Sequence, residues 1–426
     1  MILSNDVASM STGETRRILI LTADAGFGHR RAANALAAAL NIMYGDSVTV
    51  DIVNPLDDKR TPAFLRDTQS DHDKMVREMS NLYQIGYEVS DAAFPSVMVE
   101  SVLILMMFEV MNDLLRKYEP DVVVTTYPLY QAPLDAVRTI MRKKVPIITV
   151  ITDLATVHRL WFNDNVDECL TPTTIVRDLA IKNGLAAEKV HITGIPVNPV
   201  IAQEQRDKKT IRTTLQWLTD KPLLLVVGSR RVRSLKENLR VLNHCGLNFQ
   251  LAVISGGDQE LYQHLHETEW HIPTYLYNFV ENMAEMMLAA DCILTKAGGL
   301  IVTEALACGL PLVLVDVNPG QEVGNADFVV SNHAGVLAKT PMDTLETIFH
   351  WLDNGGVLMK TFAEQAYALG KPQAAFDVAK RAWELANQSP VPKTSSAVAL
   401  SLKRLKLIEW LRTNGIVDLF SKEEVN

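Results

Sequence analysis

The stretch "RILILTADAGFGHRRAANALAAAL", Arg17–Leu40, decides the fold. Ile18–Leu21 is a short apolar run with no polar alternation. Such runs are strands buried on both faces, as in parallel sheets covered by helices. After a turn holding Gly26 and Gly28, alanine and leucine continue at helix-forming density. Glycine lets the turn backbone approach a partner that a Cβ would exclude. The helix that follows opens with unpaired N–H groups, which favour an anionic or polar ligand. His29 falls in its first turn, where a neutral imidazole can accept a proton from a hydroxyl. A tight turn with a capping histidine is the competing reading.

The same unit recurs along the chain. "DVVVTTYP", "VPIITVITD" and "VHITGIPVNP" fill the first half; "KPLLLVVGS", "FQLAVISGG", "CILTKAGG" and "LPLVLVDVNPG" fill the second. Strands alternating with helices make an α/β protein with right-handed crossovers. Each half begins with strand, glycine turn and helix, so two Rossmann-like domains facing across a cleft are expected. Ligands in such folds sit at the carboxyl ends of the strands. The expected boundaries are a disordered tail at 1–15, domains at 16–200 and 201–389, and a linker with a basic amphipathic helix at 390–426. That helix, "AVALSLKRLKLIEWLR", suits an anionic bilayer surface or the protein's own surface.

The 426 residues are 48% hydrophobic and 21% charged, as in a globular chain of two or three domains. A formal net charge of −9 argues against a nucleic-acid partner. Cys169, Cys245, Cys292 and Cys308 have neither CxxC nor metal-ligand spacing, which suits a reducing compartment. The polar N-terminus has no apolar signal core. The most apolar run, "SVMVESVLILMMFEVM", carries Glu100 and Glu109 and falls short of the ~20 apolar residues of a spanning helix. A cytoplasmic chain that can touch a membrane is expected.

The second glycine turn is richer. In "TKAGGLIVTEALACGLPLVLVDVNPGQEVGNADFVV", Thr295–Val330, Gly298 and Gly299 precede another helix N-terminus suited to phosphate. The stretch is neither GxGxxG nor a Walker loop. Glu304 lies about one and a half turns along, where a carboxylate can accept both hydroxyls of a ribose. Gln321 and Glu322 open the next helix and suit sugar hydroxyls. In the first half, Tyr127, Asp153, His158 and Trp161 follow strand ends and are cleft candidates. Asp153 either orients a base or caps a helix. "DHD" at Asp71–Asp73 mimics a metal-binding DxD but sits in a polar helical segment.

These blocks resemble the lipid glycosyltransferases that make monoglycosyldiacylglycerols: the monogalactosyldiacylglycerol synthases and the processive diacylglycerol glucosyltransferases. The lipid II-forming N-acetylglucosaminyltransferase is a relative. The resemblance spans "GFGHRRAANAL", "TYPLYQAPLDAV", "ITDLATVHRLWF", "GIPVNP", "NFVENMAEMMLAADCILTKAGG" and "PGQEVGN". It implies a GT-B fold and inverting transfer from a UDP-sugar to diacylglycerol, at the inner face of an anionic membrane, with no cofactor and no required metal. It implies His29 as base with Asp153 behind it, and Glu304 on the ribose. Gln321 and Glu322 would hold the sugar, and Phe279 and Val280 the uracil. Lys296, Ala297, Gly298 and Gly299, with Gly228, Ser229 and Arg230, would meet the diphosphate. Gly26, Gly28, Tyr127 and Trp161 would line the acceptor side. An apolar acceptor patch is expected within residues 81–108, with Arg30, Arg31 and Arg66 attracting headgroups.

Two departures touch the diphosphate. The family's glycine-rich loop after the first strand of the second domain reads "VVGSRRVRSL" here, and Ile301 stands where threonine is usual. An arginine such as Arg230 is the expected replacement contact. Galactose is preferred from "QEVGN", whereas "KAGGLIVTE" looks nearer the glucosyltransferases. A UDP-N-acetylglucosamine transferase acting on another lipid and a weakly active nucleotide-sugar sensor remain alternatives.

Overall fold

A computed structural model describes residues 15–25, 28–62, 65–66, 93–142, 144–229, 232–318 and 321–388, the side chains of 93–99, 102 and 321 apart. The expected tail at 1–14, Gly26, Asp71–Asp73, Arg230 and the helix at 390–426 lie outside the described residues.

Two parallel six-stranded sheets form. The first holds β1 (Arg16–Leu21), β2 (Val48–Val53), β3 (Val122–Thr125), β4 (Ile147–Val150), β5 (Glu168–Thr171) and β6 (Val190–Ile192) in the order β2-β1-β3-β4-β5-β6. The second holds β7 (Leu223–Val227), β8 (Gln250–Ile254), β9 (Thr274–Tyr277), β10 (Cys292–Thr295), β11 (Leu312–Leu314) and β12 (Gly335–Leu337) in the order β12-β11-β10-β7-β8-β9. Every residue of β3, β4 and β10 is buried, as unalternating runs require.

Strand order places the crevices. In the first sheet the chain reverses its direction of travel between β1 and β3. In the second it does so between β7 and β10. Open α/β sheets bind ligands where order reverses, beyond the strand carboxyl ends. The loops at those points carry His29 and Tyr127 in one lobe, and Gly228 and Lys296–Gly299 in the other.

One face of the first sheet packs on the helix Ala93–Tyr118 through Leu103, Met107, Met111 and Leu115. The most apolar run is therefore largely core. Of the expected acceptor patch, residues 81–92 lie outside the described residues, and Leu103, Ile104 and Met107 are buried. Among the described residues no helix is long and apolar enough to cross a membrane.

The other face is covered by two alanine-rich helices. Ala33, Ala35, Ala37 and Ala39 of the helix Gly28–Tyr44 share a cluster with Ala375, Ala379, Ala382 and Ala386 of the helix Ala374–Asn387. Small side chains let the two helices approach closely. Tyr44 stacks on Trp383 at 4.1 Å between centroids, and Arg381 Nε donates to Glu168 Oε2 at 2.9 Å. The sequence reading assigned residues 374–388 to the second domain. The structure returns this helix to the first, because its alanine face fits that of the first helix. The two chain crossings run side by side: a Cβ on Gly194, at φ +91°, would lie 2.7 Å from Lys371 Cβ.

Candidate active site between the lobes

The helix Gly28–Tyr44 begins directly after the β1 turn and has no acidic residue in its first turn. His29 therefore stands at its positive end. Thr152 Oγ1, in the loop after β4, lies 2.9 Å from His29 Nδ1. Tyr127 meets the imidazole edge-on, 5.0 Å between centroids, and the Trp161 ring is 6.1 Å away. Thr126 Oγ1 donates to the His29 carbonyl at 3.2 Å. The imidazole is thus walled by two aromatic rings and fixed by a hydroxyl.

Asp153 is buried and accepts from Trp161 Nε1 at 3.0 Å. Burial pushes its carboxyl up to about 7, against the opposing pull of the indole N–H. Trp161 is only 1% exposed. Its ring backs the imidazole and holds Asp153, so it does not line an acceptor path as the sequence reading had it. A Cβ on Gly28 would make only ordinary contact, 3.9 Å from Leu300 Cβ of the second lobe. His158 is local scaffolding: its Nδ1 accepts from Leu160 N at 3.2 Å and caps the turn Arg159–Trp161.

In the second lobe β10 ends at Thr295 and the helix Gly299–Ala307 starts after Gly298, again without an acidic residue in its first turn. Ala297 is buried, and its carbonyl accepts from Asn325 Nδ2 at 3.0 Å. Glu304 is buried on this helix, and burial raises its carboxyl to about 7 while Arg31 pulls it down. Glu304 Oε2 has no hydrogen-bond partner among the described residues and lies 3.7 Å from Arg31 Nη1. A buried acceptor without a donor is costly unless a ligand supplies one.

Glu322 and Lys296 form an ion pair, and Glu322 Oε2 accepts from Asn318 N at 3.0 Å. Gln321 opens the helix Gln321–Ser331, its side chain lying outside the described residues. Phe279 is 69% exposed beside the buried Val280. Gly228 is closely packed: a Cβ there would lie 2.5 Å from Leu235 Cδ2 and 3.1 Å from the Ile254 carbonyl oxygen. Asp316, at φ +50°, accepts from both Ser234 N and Ser234 Oγ at 2.8 Å. It ties the loop that begins with Ser229 to the segment leading into Gln321.

The lobes meet through small residues. A Cβ on Gly299 would lie 3.0 Å from the Thr152 carbonyl oxygen, and one on Gly324 would lie 2.0 Å from Thr156 Oγ1. The helix that carries His29 thus meets the helix that carries Glu304, and Arg31 makes the charged contact between them. The arginines expected to attract headgroups are differently engaged: Arg30 binds Asp24 through two bonds of 2.8 and 3.0 Å, and Arg31 faces Glu304. Thr152, Arg31, Asn325 and Asp316 were not read as site residues from sequence. Each nevertheless lies in a stretch quoted there: Thr152 in "ITDLATVHRLWF", Arg31 in "GFGHRRAANAL", Asp316 in "LPLVLVDVNPG" and Asn325 in "PGQEVGN". Among the described residues no three His, Cys, Asp or Glu side chains gather to hold a metal.

Comparison with known proteins follows the two lobes. The family model of monogalactosyldiacylglycerol (MGDG) synthase matches residues 29–197, and the glycosyltransferase family 28 C-terminal domain matches 223–367. Monogalactosyldiacylglycerol synthase 3, chloroplastic, of Arabidopsis thaliana is 32% identical over 393 residues, covering 90% of this chain and 84% of that protein. A probable monogalactosyldiacylglycerol synthase 2, chloroplastic, of Oryza sativa subsp. japonica is 31% identical over 401 residues, covering 92% and 84%. The crystal structure of Acinetobacter baumannii MurG aligns with TM-score 0.57 at 17% identity, over 87% of this chain and 99% of that one. The calicheamicin glycosyltransferase CalG4 aligns with TM-score 0.56 at 13% identity, over 88% and 100%. At such identities these two structures report the fold alone, which is the two-lobed GT-B architecture. With relatives above 30% identity over most of both chains, the protein belongs to the monogalactosyldiacylglycerol synthase family of glycosyltransferases.

Proposed function

We infer that this UDP-sugar hexosyltransferase moves galactose to the free hydroxyl of diacylglycerol, inverting the anomeric carbon. The observation that supports the reading most is the meeting of the His29 helix with Glu304, through the 3.7 Å approach of Arg31. A donor held by the second lobe then presents its sugar to the imidazole of the first.

Glu304 accepts the two ribose hydroxyls, which supply the donors its buried Oε2 lacks. Backbone N–H groups of Ala297–Gly299 and the positive helix end stabilise the departing diphosphate without a metal ion. Gly228 and Ser229 border the same group, and Arg230, next in sequence, is the candidate charged contact. Phe279 and Val280 flank the uracil. Gln321 binds the hexose, with Glu322 shared between the sugar and Lys296. With Nδ1 turned to Thr152, the His29 Nε2 takes the acceptor proton. The acceptor oxygen bonds to the anomeric carbon as the bond to UDP breaks, and UDP leaves with that electron pair. The lipid acceptor requires peripheral attachment to a membrane. The basic helix at 397–412 is the candidate anchor, and the inner face of an anionic membrane the candidate surface.

The test is transfer of radiolabel from UDP-galactose or UDP-glucose to vesicles containing diacylglycerol. Chloroform-soluble label from UDP-galactose, with a β-linkage by NMR, is the expected result. Label from UDP-glucose alone reassigns the sugar. Label only from UDP-N-acetylglucosamine, on a different lipid, overturns the proposal.

A further inference from the structure

We propose that Thr152 is a positioning residue that couples closure of the two lobes to the orientation of His29. The proposal rests on His29 acting as the base, and it concerns what sets that base. Thr152 touches both lobes through different atoms. Its hydroxyl lies 2.9 Å from His29 Nδ1, and its carbonyl oxygen abuts Gly299, the first residue of the second-lobe helix that carries Glu304.

The contact is built for close approach. Position 299 has no Cβ, and one placed there would lie 3.0 Å from the Thr152 carbonyl. Four residues along the same loop, Thr156 fits against Gly324, where a Cβ would lie 2.0 Å from its hydroxyl. The loop after β4 is thus pressed by the N-terminal ends of both second-lobe helices. Thr152 itself is buried, so its backbone has little room to shift without its side chain. When the lobes part, the carbonyl loses its stop. When they close, the hydroxyl is returned to the imidazole.

A hydroxyl oxygen accepting from Nδ1–H leaves Nε2 with its lone pair, the tautomer a base needs. The groups facing the imidazole are Tyr127 and Trp161 on the first lobe, with Asp153 behind Trp161; on its own helix Arg30 is turned to Asp24 and Arg31 to the second lobe. Glu304 stands beyond Arg31 on the second lobe. Thr152 combines a side-chain hydrogen bond to the ring Nδ1 with a backbone contact to the opposite lobe.

The test compares Thr152→Val, Thr152→Ser and Gly324→Ala in the full chain on diacylglycerol vesicles. Thr152→Val keeps the shape and removes the hydroxyl. It is expected to lower kcat roughly 10- to 100-fold, leave the donor KM near wild type, and displace the pH profile of kcat. Thr152→Ser restores both rate and profile. Gly324→Ala wedges the lobes apart and lowers kcat, and adding Thr152→Val to it costs little more, because the coupling is already broken. Imidazole nitrogen shifts of His29 by NMR give a readout independent of turnover: the Nδ1–H tautomer dominates in the wild type and not in Thr152→Val. Equal impairment by serine and valine, fully additive losses with Gly324→Ala, or an unchanged tautomer in Thr152→Val overturns the proposal. A fully active His29→Ala variant instead overturns the assignment of the base.

Discussion

The two lobes repeat one supersecondary unit, and the proposed reaction gives the two copies opposite tasks. In each, a buried strand ends, a glycine turn follows, and a helix starts with no acidic residue in its first turn. The first lobe places a titratable imidazole at that positive end and surrounds it with Tyr127, Trp161 and the Thr152 hydroxyl. The second places only backbone at the helix start and sets that helix's carboxylate, Glu304, deeper and buried. The helix end is common to both. What the neighbouring strand's loop supplies decides whether the unit handles a proton or a phosphate.

If this division holds, damage on the first lobe cuts turnover and damage on the second cuts donor affinity. His29→Ala is expected to have the largest effect, a kcat loss of about 10²- to 10⁴-fold, with UDP binding by calorimetry unchanged. Weakened UDP binding in that variant would break the comparison.

Glu304→Gln comes next. A lost charge-assisted bond corresponds to a donor KM raised about 10- to 100-fold, with kcat nearly kept. The wild-type kcat/KM for the donor is expected to fall as pH drops through about 7, where Glu304 takes up its proton, and this limb should vanish in Glu304→Gln.

Both buried acids also oppose folding. The folded-state values of Glu304 and Asp153 are raised from 4.5 and 3.8 to about 7, so the folded protein holds protons that the unfolded chain has released. Stability is full below the unfolded values and lost as pH rises to about 7, by roughly 3 kcal/mol for Glu304 and roughly 4 kcal/mol for Asp153. Glu304→Gln and Asp153→Asn should therefore raise the melting temperature relative to wild type at pH 8, and by less at pH 5.

Asp316→Ala is the smallest expected change. Loss of its two bonds to Ser234 loosens the second-lobe loops and raises the donor KM roughly tenfold, while Asp316→Asn, which tolerates the same backbone and still accepts, stays near wild type.

Legibility from sequence followed the same physics. The strands were readable because a run such as Val122–Thr125, buried on both faces, cannot alternate. The placement of His29 and Glu304 on helices that follow glycine turns was readable because glycines between a buried strand and a helix-forming run mark such a turn. Thr152 was not, since one threonine after a strand looks like any other. Arg31 was read as attracting headgroups, although its partner lies on the opposite lobe. Trp161 was read as open to an acceptor, but loop packing had buried it.

Composition and pattern along the chain were enough to set two parallel α/β sheets and the residue types at their switch points, because burial imposes its period locally. The partnerships across the crevice were settled only by the folded arrangement: Thr152 with His29, 123 residues apart, Arg31 with Glu304, and the last helix with the first. A hydrophobic pattern records that a face is covered and is silent about which distant segment covers it.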